Sequence, residues 1–248
     1  MKKTATKSES KPKTSASVER KPKKAKYQSP YRKIKPKIKS PYTIIYLVRH
    51  CNPDYSTEKL VGDHNMPLSK IGLDQREYLT TRLLGMNIDK IYSSELLRAQ
   101  ETARQFADRA SKKIIIDKRL NEIDWKDWYR IKYFNMSEET REKRFRQHDH
   151  LDAQLDKMQA LGRKLISDVY LHSKGKSVAL FCHGNIIKAM ITGIINADII
   201  GFLSLEIFQS SITKLVIDRD GYVKINYINN ICHLPHEPNE DLFITLVD

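Results

Sequence analysis

Two apolar, β-branched runs in this chain stop in the same way. TIIYLV (43–48) runs into Arg49 and His50, and SVALFC (177–182) runs into His183, Gly184 and Asn185. An imidazole is largely neutral near pH 7, so one nitrogen is free to act as nucleophile or base while the other holds a hydrogen bond. An arginine beside it offers a planar fork that grips two oxygens of an anion at once. In open α/β sheets ligands sit beyond the carboxyl ends of the strands, where helix N-termini present free N–H groups. Two histidines delivered to that edge from separate strands, with Arg49 adjacent, suit chemistry on an anionic group. Taken singly, each reads as an isolated loop histidine.

The cysteines offer rival chemistries, and spacing argues against both. A cysteine phosphatase loop needs Cys-x5-Arg, but six residues beyond Cys51, Cys182 and Cys232 lie Thr57, Lys188 and Pro238. CHLPH (232–236) suggests metal ligands, yet no second Cys/His pair at ligand spacing accompanies it. No metal and no cofactor is expected.

The elements that must carry these residues follow from periodicity. TIIYLV, IDKIY (88–92), KIIID (113–117), SVALFC, ITKLVI (212–217) and VKINYI (223–228) read as strands, short and rich in β-branched residues. In 94–110, Ala99, Ala103, Phe106 and Ala110 recur at helical spacing behind Ser94 as N-cap, and in 138–172 Leu151, Leu155, Met158, Leu165 and Val169 do the same. RDG (219–221) reads as a hairpin turn joining the last two strands. Alternating strands and helices predict an α/β fold, a three-layer α/β/α sandwich with a mostly parallel central sheet covered on both faces.

The 248 residues are 40% hydrophobic and 30% charged, with a formal net charge of +14. That charge would suit a nucleic-acid binder were it not confined to one end. Residues 1–40 hold 15 Lys+Arg against Glu9 and Glu19, whereas the remainder holds 29 basic and 28 acidic side chains. Residues 1–41 are therefore expected to be a disordered Lys-rich tail, too poor in apolar surface to fold, and 42–248 the domain. The tail reads as solvated, or as a tether for an anionic partner. Three scattered cysteines point to a reducing compartment, no signal peptide is visible, and Lys188 and Asp198 interrupt the most apolar window, 185–202. A cytoplasmic protein with no transmembrane segment is expected, or a nuclear one through KPKKAK (21–26) if the host has a nucleus.

VRHCNPDYS (48–56), GDHNMPLSKIGLDQ (62–75), IYSSELLRAQETA (91–103), LNEIDWKDW (120–128) and FCHGNIIKAM (181–190) resemble, in this order, the motif series of the histidine phosphatase (phosphoglycerate mutase-like) superfamily. The resemblance runs from about residue 43 to INNICHL (228–234) and includes an intact SSxLxRAxETA block. It implies that His50 is the nucleophile, forming a phosphohistidine; that Arg49, Arg98 and His183 surround the phosphoryl oxygens; and that Glu122 is the general acid–base. Asp124 is a neighbouring rival for that last role. The chain departs from the family pattern at Cys51, where glycine is usual, at Pro53 and Ser56, and after Glu122, where Lys126 and Trp128-Tyr129-Arg130 replace a glycine and W-E-G.

The resemblance implies a phosphomonoester hydrolase acting on a phosphorylated small molecule or phosphoprotein. Two alternatives stay open: a catalytically weak phosphatase-like domain that binds a phosphorylated partner, and a phosphoglycerate mutase-type phosphotransferase. Mutases carry a long insertion between the acid and the second histidine, and the segment here is short. Tyr129, Arg130, Lys132, Arg141 and Lys143 are candidates for a basic rim suited to a doubly anionic substrate.

Overall fold

A computed structural model of the chain describes residues 39–123, 137–140, 143 and 149–235. Most of the Lys-rich segment, together with Asp124, Lys126, Trp128, Tyr129, Arg130, Lys132, Arg141 and His236, lies outside the described residues. Six strands form one sheet: β1 (Thr43–Arg49), β2 (Lys90–Ser93), β3 (Ile114–Ile116), β4 (Ser177–Cys182), β5 (Ile212–Ile217) and β6 (Val223–Asn230). Their order is β3-β2-β4-β1-β5-β6. The first four run parallel, while β5 is antiparallel to β1 and to β6. All six expected runs are strands. The expected RDG turn joins β5 to β6, with Gly221 at φ 90° and Asp218 Oδ1 accepting from the N–H groups of Asp220 and Tyr222 at 2.9 Å.

The helices are α1 (Glu58–Val61), α2 (Lys70–Leu84), α3 (Leu97–Arg109), α4 (Asp149–Leu171), α5 (Gly184–Ile195) and α6 (Ile199–Ser204). The three-layer arrangement is written into the strands' alternation. Ile45 and Leu47 of β1, with Val178 and Leu180 of β4, join a core with Leu165 and Val169 of α4 and Ile186, Ile187 and Met190 of α5. Tyr46 and Val48, with Ala179 and Phe181, join a second core with Leu79 and Leu83 of α2 and Ala103 and Phe106 of α3. Successive side chains of a strand point to opposite faces, so one short run feeds both cores. Helix α5 is the apolar window of the sequence, buried on every side from Gly184 to Gly193. A helix apolar all round belongs in a core. No helix among the described residues is long and apolar enough to cross a membrane.

Helix α2 has no counterpart in the apolar periodicity, because its inward residues are Gly72, Leu79, Thr80 and Leu83. Gly72 explains the thin apolar face. A Cβ there would lie 2.0 Å from the Asn52 carbonyl oxygen, so the helix packs against the backbone just after His50 with no room for a side chain. Ser69 caps α2, accepting from the Gly72 N–H at 3.1 Å, and its hydroxyl donates to Asn52 Oδ1 at 2.7 Å.

Candidate active site

Parallel pairing of β1 with β4 sets Arg49 level with Cys182, and the His50 N–H donates to the Cys182 carbonyl at 2.9 Å. The next residues of the two strands, His50 and His183, therefore emerge together; their ring centroids are 5.0 Å apart and tilted by 53°. Strand β2 ends beside them, with the Ser94 N–H donating to the Phe181 carbonyl at 3.0 Å. Three adjacent strand ends thus deliver His50, His183 and Ser94 to one point.

The two rings are held by different nitrogens. His50 Nδ1 lies 2.7 Å from the Cys51 carbonyl oxygen. A carbonyl only accepts, so Nδ1 carries the proton and Nε2 keeps its lone pair. His183 instead meets the Ser94 hydroxyl through Nε2 at 2.8 Å. Ser94 Oγ also accepts from the Leu96 N–H at 3.3 Å; we assign its proton to Nε2, which puts the His183 proton on Nδ1. That Nδ1 is buried and has no hydrogen-bond partner among the described residues. Both rings are held neutral: burial, then the charges of Arg49 and Arg98, push His50 well below its ordinary value. Burial, His50 and the same two arginines do so for His183.

Ser94 is not the N-cap of the following helix. Helix α3 starts at Leu97 with Leu96 at the cap position, and no side chain caps it. The serine's hydroxyl is turned into the site, where a buried imidazole is the stronger claim on it.

Arg49 reaches across α5. A Cβ on Gly184 would lie 3.5 Å from its Nε and Cζ, so the guanidinium passes over the first residue of the helix. One end donates to the Ile207 carbonyl, and Nε is buried with no partner among the described residues. Arg98, in the first turn of α3 and 5% exposed, faces Asp63. Its Nη1 donates to the Asp63 carbonyl at 2.7 Å, and its two terminal nitrogens lie 3.1 and 3.4 Å from the two carboxylate oxygens.

Glu122 follows β3 and a 3₁₀ turn whose Leu120 is fully buried. Its carboxylate sits on the N-terminus of α5, accepting from the N–H groups of Ile123 at 2.9 Å, Asn185 at 3.1 Å and Ile186 at 3.3 Å. Those bonds and Arg49 favour the ionised form, but burial outweighs them and raises its pKa above the ordinary carboxyl value. Glu122 can therefore hold a proton at a pH where an exposed glutamate has lost it.

Cys51 faces away from the site. It is fully buried among Val48, Leu68, Leu79 and Phe181, and its N–H donates to Thr102 Oγ1 at 3.0 Å. Burial pushes its thiol up to about 12, which leaves no thiolate to act as nucleophile. At the C-terminal edge Cys232 is exposed and bonds Asn230, while His233 Nε2 lies 2.9 Å from Ser210 Oγ. Among the described residues, no group of three or more His, Cys, Asp or Glu is placed to hold a metal.

Arg49, His50, Glu122 and His183 are thus brought together, with Arg98 acting on both histidines at longer range. Sequence reasoning gave Ser94 the wrong task and passed over Asp63, whose distance to Arg98 no spacing rule could reveal. It treated Lys188 as a break in an apolar window and as the residue that stands where a Cys-x5-Arg loop would need arginine. This residue is 8% exposed, and a lysine so placed in a buried helix is itself a signal.

Comparison with known proteins gives a consistent picture. Residues 45–230 match the family model described as histidine phosphatase superfamily (branch 1). A putative phosphoserine phosphatase 2 of Hydrogenobacter thermophilus is 21% identical over 197 residues, which is 76% of this chain and 96% of its own length. A probable phosphoglycerate mutase of an Enterobacter species is 37% identical, but over 81 residues only, 38% of its length. Among solved structures, a phosphoserine phosphatase from Entamoeba histolytica in complex with phosphoserine shares the fold at TM-score 0.61 and 21% identity, covering 77% of this chain and 99% of the other. A mycobacterial glucosyl-3-phosphoglycerate phosphatase does so at TM-score 0.58 and 21% identity, covering 76% and 99%.

Proposed function

This chain belongs to the histidine phosphatase superfamily, and on that premise we propose that it is a metal-independent phosphomonoester hydrolase with His50 as nucleophile. The observation that carries the reading is the pairing of unlike nitrogens: a bare His50 Nε2 beside two buried donors, His183 Nδ1 and Arg49 Nε, that lack partners among the described residues. Buried donors without acceptors are costly, and the oxygens of a phosphoryl group would satisfy both.

In the proposed reaction the Nε2 lone pair attacks phosphorus; the P–N bond forms as the ester P–O bond breaks. Arg49, Arg98 and His183 stabilise the charge on the equatorial oxygens. Protonated Glu122 gives its proton to the departing alkoxide. Its carboxylate then takes a proton from water, which attacks the phosphohistidine, breaks the P–N bond and frees inorganic phosphate. Neutral His50 and a carboxyl with a raised pKa are the protonation states this cycle needs at its start.

The test is turnover of an aryl phosphate in chelator, with quenching in alkaline denaturant to trap an acid-labile, alkali-stable phosphoenzyme. Wild type is expected to give both, and His50→Ala neither. One observation favours a second reading, a domain that binds phosphate with little turnover. Asp63 occupies the Arg98 fork, so an arriving phosphate must compete with a carboxylate already there. Phosphate binding by wild type with no phosphoenzyme and no turnover would select that reading.

A further inference from the structure

The peptide between Cys51 and Asn52 is what gives His50 its bare nitrogen. Its carbonyl accepts from His50 Nδ1 at 2.7 Å. The N–H of the same peptide points the other way and donates to Gln75 Oε1 at 2.8 Å. A backbone N–H only donates, so the amide oxygen of Gln75 faces it. Carbonyl and N–H lie on opposite sides of a planar trans peptide, and fixing one end fixes the other. With its ends exchanged, this peptide would turn an N–H toward Nδ1. The ring proton would then move to Nε2, and the lone pair that the proposed reaction uses would be lost.

Helix α2 is placed to bring Gln75 to this point. Gly72 lets the helix close on the Asn52 backbone, and Gln75, three residues on, lies on the same face. The Ser69 N–H donates to the Asn52 carbonyl at 3.0 Å, so α2 and its cap hold both backbone groups of Asn52. The preceding peptide, between His50 and Cys51, is held by other elements. Its carbonyl accepts from the Ser210 N–H at 3.1 Å, and its N–H donates to Thr102 Oγ1 at 3.0 Å. Neither of those bonds touches the group that meets the ring. Of the two clamped peptides, the one gripped by Gln75 carries the carbonyl that sets the tautomer. A hydrogen bond at one end of a peptide also polarises the other, so Gln75 strengthens that carbonyl as an acceptor.

We propose that Gln75 is a positioning residue that fixes the orientation of the Cys51–Asn52 peptide, and through it the tautomer and aim of the His50 ring. The kinetic side of this inference rests on the phosphatase reading of the same site; the tautomer does not. Gln75 acts on the ring through a peptide and not on the substrate, so its loss falls on kcat and leaves KM nearly as it is.

The experiment reads the ring directly, by heteronuclear NMR of the full chain with isotope-labelled histidine, the His50 signals being identified by their absence in His50→Ala. Wild type is expected to show a protonated Nδ1 and a pyridine-like Nε2. Gln75→Met keeps an unbranched side chain of similar helix propensity and removes the acceptor. It is expected to shift His50 measurably toward the form protonated on Nε2. On an aryl phosphate it is expected to lower kcat by about 10-fold or more, the scale for removing a partner that orients a functional histidine. Gln75→Glu, which keeps the acceptor, is expected to retain the wild-type tautomer and most of the rate. Thr102→Val removes a bond from the neighbouring peptide and is expected to lower thermal stability with the tautomer unchanged. A wild-type tautomer in Gln75→Met, or the same shift in Thr102→Val, would overturn the proposal. So would a wild-type ring protonated on Nε2. If Gln75→Met does not fold, Gln75→Asn, whose amide stops one methylene short of the Asn52 N–H, gives the same comparison. Wild type without turnover would remove the hydrolase reading and leave the tautomer to decide the role of Gln75.

Discussion

The ends of β1 and β4 look like copies of one device and work as opposites. Each strand is a buried apolar run closed by a histidine, the two rings lie 5.0 Å apart, and both are held neutral by burial and the same two arginines. The difference lies in a single hydrogen bond on each side. Behind His50 stands the carbonyl of the next residue, which draws the proton to Nδ1 and leaves Nε2 bare. Behind His183 stands the hydroxyl of Ser94, which in the assigned tautomer donates to Nε2 and leaves the proton on Nδ1. One ring offers a lone pair and the other a proton. The residue type alone does not assign a role to a histidine; the partner of its far nitrogen does.

That contrast can be broken most directly by removing each ring in turn. His50→Ala is expected to lower kcat on an aryl phosphate on the order of 10⁴-fold or more, the scale seen when a nucleophile is deleted. His183→Ala is expected to cost about 10²–10³-fold, as for a lost transition-state donor, and still to yield a trapped phosphoenzyme. Quenched-flow measurement of both variants checks this; a phosphoenzyme in His50→Ala but not in His183→Ala would reverse the assignment.

The pH profile sharpens the comparison, because the acid is tuned in the direction opposite to the histidines. His50 loses its lone pair only when protonated, and its pKa is depressed, so the acidic limb of kcat/KM is expected well below 6.5. Glu122 must be protonated to help the leaving group, and its pKa is raised, so the basic limb is expected above the ordinary 4.5. Glu122→Gln is expected to remove the basic limb and cost about 10²–10⁴-fold on alkyl phosphates. The loss should be smaller on p-nitrophenyl phosphate, whose leaving group needs no proton. Equal losses on both would deny Glu122 the role of acid.

The smallest expected effect comes from Ser94→Ala, which releases the His183 tautomer without removing a catalytic ring. A loss of about 10-fold in kcat is expected, the lower end for removing a partner that orients a functional histidine, with thermal stability close to wild type. Ser94→Thr, which keeps the hydroxyl, is expected to recover part of the rate. A Ser94→Ala variant with unchanged kcat would show that the donor side of the pair needs no orientation.

Much of the fold was legible because its strands are short and β-branched, and β1 and β4, buried on both faces, announce themselves as continuous apolar runs. Helix α2 was not, since its contact with the backbone just after His50 is made through Gly72, and a close backbone approach leaves no apolar residue to read. The start of α3 was misread for a related reason. Serine suits an N-cap, and nothing local showed that a histidine 89 positions later would take its hydroxyl. Cys51, an oddity beside His50 in the sequence, becomes ordinary in the structure as a small side chain filling the α2–α3 core.

The sequence by itself determined which chemical groups would stand at the sheet edge. Strand propensity decides where β1 and β4 end, with Arg49 the last residue of β1 and His50 and His183 just past the two ends, while Glu122 follows β3 after one 3₁₀ turn. Only the tertiary structure decided their states. The tautomer of His183, the raised pKa of Glu122 and the carboxylate on Arg98 depend on partners brought from distant segments and on the water those partners exclude. Local propensity acts along the chain, whereas protonation and desolvation act through space.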